Sequence, residues 1–315
     1  MSGRPLKPRP AAVAILPAEP GVYRFRDATG KALYIGRAGN LRRRVGSYWG
    51  ALADRPRLRR MVPQVAAIEA LVCESEHEAA WLERNLLQRS KPRWNRARGG
   101  QELPVYLRLD DSAAAPRLDL VFGVEARPGV RYFGPYLGSG KVRAALAGLR
   151  RCYPLAYTGS RLTAAERDMA ATRGVNSADR ATLVAAVVAA LERADDDAAL
   201  KLLSERRDRA SADLLFEIAA AVQDEIEGLT WVVAPQRMTV DGRPDQVLAG
   251  ESDGFGLRLL VRDGRVCEWK QGSGLRLGPK STAAGDWDVF LKRNAALAAE
   301  LATLPVIRAA GDQSF

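Results

Sequence analysis

Two tyrosines, one glutamate and a group of arginines are the residues whose types and spacing could do chemistry. Tyr23 and Tyr34 stand with ten residues between them, on either side of a turn expected at Asp27–Gly30. A phenol, with a pKa of about 10, is a poor base at neutral pH unless nearby cations stabilise its phenolate. Arg37, two residues past the second strand, can supply that charge without itself taking the proton. Arg44 can hold a phosphate through two parallel N–H bonds. At about 100° per residue, Glu83 falls in the middle of an apolar helix face made by Ala79, Ala80, Leu82, Leu86 and Leu87. An ionised carboxylate there is costly unless paired or bound to a cation. Periodicity leaves both readings open: a buried Glu–Arg bridge, or a metal ligand or acid–base group.

The charge distribution points to the partner. Residues 1–100 carry 20 Lys and Arg against 8 Asp and Glu, whereas the other 215 carry 28 against 29. A segregated basic region is the electrostatic footprint of a polyanion binder. Its expected phosphate contacts are Arg42, Arg43, Arg59, Arg60, Lys91 and Arg93, with Arg55, Arg57, Arg96 and Arg98 in the same runs. A solvated basic surface or a membrane-surface patch is the competing explanation of charge alone. The single histidine, His77, excludes mechanisms needing a histidine pair. Three scattered cysteines, Cys73, Cys152 and Cys267, make neither a disulfide framework nor a closed zinc site, which fits a reducing, cytoplasmic compartment. No stretch approaches the roughly 20 apolar residues of a membrane span, and the basic, Pro-rich start is not a secretory signal.

The elements that must position these residues follow from alternation and capping. Residues 1–16 read as a basic, Pro-rich tail. Gly21 to Gly36 reads as a hairpin, Asn40 as the N-cap of a basic helix to about Tyr48, and Arg57 to Met61 as a short helix. Ala66 to Cys73 reads as a third strand. Ser75–Glu78 is a capping box, with Ser75 accepting from the N3 amide and Glu78 reaching back, and it opens a helix to about Arg89. The fold class is α/β: a small domain at 17–98 with a short antiparallel or mixed three-stranded sheet flanked by helices. A β extension at 99–155 follows, with two strands expected near 105–109 and 118–122 and a turn near 131–135. Residues 156–229 are expected to be mainly helical, broken near Ala194–Asp197 and Ser211–Asp213, with an αα-hairpin at 202–229. A small α+β part at 230–315, of no derivable role, holds a β-hairpin turning at Asp263–Gly264 and a closing helix from Asp286.

Gly21-Val22-Tyr23 and Tyr34-Ile35-Gly36, followed by Arg44, Glu83 and Asn95, resemble in order and spacing the motif set of the GIY-YIG endonucleases. The wider stretch 17–155, including Lys91–Asn95, Tyr132–Tyr136 and Arg151–Leu155, is similar to the N-terminal half of UvrC, the nuclease component of the ABC excinuclease. The resemblance implies that Glu83 anchors one Mg²⁺ or Mn²⁺ on the scissile phosphate. It implies that Tyr34 takes the proton of the attacking water, with Tyr23 beside it, that Arg44 stabilises phosphoryl charge, and that Asn95 orients the site. Arg37 stands where the family often has Lys, keeping the charge but not a proton-relay capacity. The chemistry is consistent: one Mg²⁺ is commonly held by one carboxylate, substrate phosphate oxygens and waters, and acts as a Lewis acid.

Residues 202–226 resemble the UVR helical hairpin of UvrC, which docks the damage-loading protein UvrB. Leu214, Leu215, Phe216, Ile218, Ala219 and Ile226 form a seam that must be buried, inside this chain or against a partner. The cysteine cluster of the relatives has no counterpart, so no iron–sulfur centre is expected. This layout resembles the truncated homologue Cho, which incises only 3′ to a lesion. The resemblance thus implies a metal-dependent nuclease of nucleotide excision repair acting on double-stranded DNA that carries a lesion, with the UvrB–DNA complex as a further expected partner and no membrane. Two other readings stay open: a stand-alone structure-selective DNA or RNA nuclease independent of UvrB, and a non-catalytic nucleic-acid-binding protein.

Overall fold

The computed structural model describes residues 9–50, 56–95, 103–112, 114–192, 197–277 and 286–304. Arg55, Arg96, Arg98, the expected domain boundary at 98/99 and the break at Ala194 lie outside these. The chain divides into two compact units, one made of residues 1–101 with 235–315, the other of 102–234.

The first unit is built on a strand trio in which the middle strand comes first in sequence. Strand β1 (Gly21–Arg26) pairs antiparallel with β2 (Ala32–Ala38) on one side and β3 (Ala67–Val72) on the other. The expected hairpin and third strand are present, and the loop closes on Asp27, whose carboxylate accepts from the Thr29 and Lys31 amides at 2.9 and 3.0 Å. After β2, Asn40 caps helix α2 (Leu41–Gly46) by accepting from the Arg43 amide, and a 3-10 turn follows at Ser47–Trp49. Residues 1–8 of the expected tail lie outside the described residues, and residues 9–16 behave otherwise. Helix α1 (Ala12–Ile15) lies ahead of the sheet, and Ala12, Val13 and Leu16 are buried in the same core as Tyr23, Leu41 and Val45. Arg42 fixes the segment by donating to the Leu16 carbonyl at 2.6 Å; the apolar run hidden between prolines offsets the ordering cost.

After α3 (Pro56–Met61), Ser75 caps helix α4 (Glu76–Arg89), accepting from the Glu78 amide at 2.9 Å. Glu78 does not complete the box on Ser75. Its carboxylate instead accepts from the Glu74 amide at 2.8 Å and from Arg237 Nε at 2.9 Å. Residues 246–273 form a three-stranded antiparallel meander, β7 (Gln246–Ser252), β8 (Phe255–Arg262) and β9 (Arg265–Ser273), where a single hairpin was expected. The extra turn is at Asp253–Gly254, both at positive φ.

The closing helix, α10 (Asp286–Thr303), packs on β7, β8 and β3, and α4 packs on β1, β2 and β9. Two buried asparagines finish the first sheet. Asn95 accepts from the Ile35 amide at 3.0 Å and donates to its carbonyl at 2.8 Å on the outer side of β2. Asn294 does the same to Val72 on the outer side of β3, at 2.7 and 3.2 Å. Each side-chain amide thus stands in for a neighbouring strand, satisfying edge groups that would otherwise be buried unpaired.

The second unit opens with β4 (Val105–Asp110), β5 (Arg117–Val121) and β6 (Val130–Tyr136) in the order β5–β4–β6; the first two match the expected strands, and the third stands where a turn was expected. It adds α5 (Ser139–Cys152), a helix not expected from the sequence, and α6 (Ala164–Arg173), within the stretch expected to be mainly helical. The apolar stripe Val142, Ala145, Leu146 and Leu149 buries α5 against its neighbours. Then come α7 (Arg180–Glu192) and an αα-hairpin of α8 (Ala198–Ala212) and α9 (Phe216–Val233). Helices α5 and α9 approach closely because Gly228 has no side chain. A Cβ there would lie 2.7 Å from the Ala144 Cβ and from the Lys141 carbonyl.

Candidate active site

The register of the first sheet assembles the aromatic half of the site. Tyr23 lies opposite Gly36, and Phe25 opposite Tyr34, so these residues share one face. The ring centroids of Tyr23 and Tyr34 are 6.1 Å apart. A Cβ on Gly36 would come within 2.5 Å of the Tyr23 hydroxyl and 2.7 Å of the Tyr34 ring, so the glycine gives both phenols their space. The turn after α2 lays a third ring on the cluster: Tyr48 lies 5.9 Å from Tyr23 and 6.0 Å from Tyr34, centroid to centroid. Its hydroxyl is 2.6 Å from that of Tyr23. Tyr48 was not among the expected site residues; the available signal was its place one helical turn past Arg44.

Tyr23 and Tyr48 are buried, and Tyr34 is half-buried. Burial, reinforced by the neighbouring phenols, pushes Tyr23 well above the usual phenol value, with Arg44 opposing it only weakly. Burial raises Tyr48 as well. Arg44 stacks over the Tyr48 ring at 5.5 Å. Its own burial favours losing the proton, but Tyr23, Tyr48 and Tyr34 together outweigh that and hold the guanidinium charged. The cation at the phenol cluster is therefore Arg44. Arg37, expected to serve Tyr34, instead pairs with Glu83, Nε to Oε2 at 3.4 Å.

Glu83 is not sunk among aliphatics. Its side chain is 22% exposed, and the carboxylate of α4 that is fully enclosed belongs to Glu78. The helix is covered on two sides, by the first sheet and by β9, so its buried face is wider than an amphipathic stripe and Glu83 falls at its margin. The 3.4 Å ion pair is long beside the about 2.7–2.9 Å of strong charge-assisted bonds. Among the described residues no three His, Cys, Asp or Glu gather as a metal cage. A lone, partly exposed carboxylate is a donor set that suits one hydrated Mg²⁺ or Mn²⁺ shared with phosphate.

Asn95 holds the backbone of Ile35, the residue between Tyr34 and Gly36, and the Trp94 amide donates to the Leu33 carbonyl at 3.1 Å. The expected phosphate contacts Arg42, Arg43, Arg59, Arg60, Lys91 and Arg93 are all exposed. Arg42 Nε also donates to the Leu16 carbonyl. Arg93 and Arg57 flank the Trp94 ring, at 5.4 and 6.0 Å from its centroid.

A three-stranded sheet that presents paired tyrosines, an arginine on the following helix, a glutamate on the next and an asparagine beyond it defines a class, and residues 19–96 match the family model of the UvrC-like GIY-YIG domain. Residues 19–96 thus belong to that nuclease domain family, and the chain is homologous to UvrABC system protein C. It is 32% identical over 269 residues to that protein of Trichlorobacter lovleyi, spanning 81% of this chain and 44% of the relative. It is 34% identical over 275 residues to that of Coxiella burnetii, with coverage of 81% and 44%. The chain therefore spans less than half the length of these relatives. The crystal structure of the N-terminal GIY-YIG endonuclease domain of Thermotoga maritima UvrC, bound to magnesium as its catalytic cation, is 34% identical and covers 26% of this chain and 90% of that one, with a TM-score of 0.25.

Proposed function

We propose that the protein is a divalent-metal-dependent DNA endonuclease of nucleotide excision repair. It hydrolyses one phosphodiester bond on the 3′ side of a bulky lesion in double-stranded DNA, in the manner of the truncated Cho-type homologue. The observation that carries this reading is the cluster of Tyr23, Tyr34 and Tyr48 around Arg44, on strands whose edge is pinned by Asn95. Glu83 would hold Mg²⁺ or Mn²⁺, which supplies Lewis-acid activation of the phosphoryl group when bound.

The chain's own residues divide the remaining work. Tyr34, the least buried phenol of the cluster, accepts the proton of the attacking water. Tyr23 and Tyr48, held neutral by burial, position it and Arg44. Arg44 stays charged and stabilises the phosphoryl oxygens. Arg43, Arg59, Arg60, Lys91 and Arg93 hold the backbone without reading sequence, which suits cleavage directed by a partner. The UvrB–DNA complex is the proposed partner. Its docking element is the α8–α9 hairpin, whose tip leaves Leu214, Leu215 and Phe216 exposed, so packing within the described residues does not cover this end of the seam.

The test is a nicking assay on an end-labelled duplex with one bulky adduct, run with and without Mn²⁺ and a UvrB-type loading protein. A single metal-dependent nick 3′ to the adduct, stimulated by the loading protein and lost in Glu83→Ala while DNA binding persists, is the expected outcome. Undiminished cutting by Glu83→Ala would sink the assignment.

A further inference from the structure

The second unit contains a cavity of about 400 Å³ between the start of β5, the last turn of α5, the 3-10 turn at Leu155–Thr158 and the end of α6. Leu118 and Tyr153 are buried in its wall, and Tyr157 is half-exposed. Arg117, Arg150 and Arg173 are exposed around it. The size is within the usual range for small-ligand sites. This cationic rim belongs to the part of the sequence in which acidic and basic residues are otherwise balanced.

The local charges do not cancel. Asp119 is shared by three guanidinium groups, Arg108 and Arg150 at 2.9 Å and Arg117 at 3.5 Å. Arg173 pairs with no carboxylate among the described residues; its guanidinium stacks over the Tyr157 ring at 5.3 Å. Arginines in the last turn of a helix commonly complement its dipole. That accounts for Arg150, which also donates to the Leu118 carbonyl, and for Arg151, which is neutralised by Glu225. It accounts equally for Arg173, in the last turn of α6, but not for Arg117, which reaches the cavity from a strand.

We infer that this cavity is a nucleotide pocket: Arg117, Arg150 and Arg173 take a phosphate, and a planar base lies against Tyr157 and Tyr153. Guanidinium forks match phosphate oxygens, and an aromatic wall with an apolar floor accepts any base by its π-face. The same chemistry is offered by a free mononucleotide and by one nucleotide of a DNA strand. The pocket uses no residue of the Tyr23–Glu83 site, so it stands or falls independently of the nuclease reading.

The test is calorimetric titration of the full chain with dAMP, with inorganic phosphate and with a twelve-residue single-stranded oligonucleotide, for the wild type, Arg117→Gln/Arg173→Gln and Tyr157→Ala. Both variants alter exposed or half-exposed side chains, and unchanged thermal midpoints confirm that they fold. If the occupant belongs to a strand, the double variant flattens the slope of log K against log salt for the oligonucleotide by about 0.7, the share of one phosphate contact. Tyr157→Ala then weakens binding about tenfold, as for one lost stack. If the occupant is free, dAMP binds, phosphate alone does not, and both variants lose the dAMP signal while oligonucleotide binding is unmoved. Wild-type affinities reproduced by both variants for every probe, or phosphate binding as well as dAMP, would overturn the inference.

Discussion

The hydroxyl groups of Tyr23 and Tyr48 share a hydrogen bond of 2.6 Å inside the first core, 25 residues apart in sequence. Both phenols are neutral because burial raises them. A neutral, bonded pair of this kind positions its neighbours; it does not collect protons.

Tyr23→Phe and Tyr34→Phe therefore separate. Removing the Tyr23 hydroxyl costs Tyr48 one of its hydrogen bonds, a loss of about 1 kcal/mol in stability. The nicking rate falls, but its pH profile keeps its shape. Tyr34→Phe removes the proposed base and abolishes the rate with little change in stability. Rates from pH 6 to 10 and urea midpoints decide. A pH profile reshaped by Tyr23→Phe would assign the proton transfer to the buried ring instead.

Asn95 acts through backbone geometry, and a backbone readout tests it. Its side-chain amide satisfies both polar groups of Ile35. Asn95→Ala leaves them buried without those partners, at about 1–3 kcal/mol. The Ile35 amide should then exchange with deuterium faster, while amides of β3 held by Asn294 keep their protection. Equal loss along both edges would mean that the sheet depends on Asn95 as a whole.

What was legible in the sequence is what short-range rules dictate. The hairpin at Asp27–Gly30, the Asn40 and Ser75 caps, and the tyrosines meeting across β1 and β2 follow from alternation, capping and turn chemistry. Burial that comes from distant chain was not legible. Glu83 looked central on an amphipathic helix, but β9, some 180 residues later, covers the other side of α4, and Arg237 closes on Glu78, the enclosed carboxylate. The partner of Arg37 and the role of Asn294 were hidden for the same reason. Tyr48 was hidden in plain view, as an aromatic one turn beyond Arg44.

Glu78 gives the stability a pH dependence of its own. Burial raises its carboxyl from 4.5 to about 7 although Arg237 donates to it. The folded state then holds a proton that the unfolded chain has already released. Stability from this group is complete below about pH 4.5 and is lost as pH climbs through about 7. Urea unfolding across that range should show Glu78→Gln losing this decline, so that the difference between the two proteins changes with pH. A constant difference would show that the carboxyl titrates alike in both states.

Leu214 occupies a position that normally selects glycine. Helix α8 ends in a Schellman arrangement: the Leu215 amide donates to the Ala210 carbonyl at 2.8 Å and the Leu214 amide to the Ser211 carbonyl at 3.1 Å. Leu214 is the left-handed residue, with φ 60°. A branched side chain there costs about 1–2 kcal/mol, and this one is 72% exposed, so folding gains little from it. A residue that strains its own chain to stand in solvent is explained if another protein covers it. Leu214→Gly should raise the unfolding free energy read from urea titration, by up to about 1 kcal/mol once the freer unfolded chain is counted. It should also weaken stimulation of nicking by a UvrB-type protein, while basal metal-dependent cutting is kept. Phe216→Ser, with the strained leucine left in place, should reproduce the second effect without the first. Stimulation that survives both substitutions would remove the hairpin tip from the partner interface.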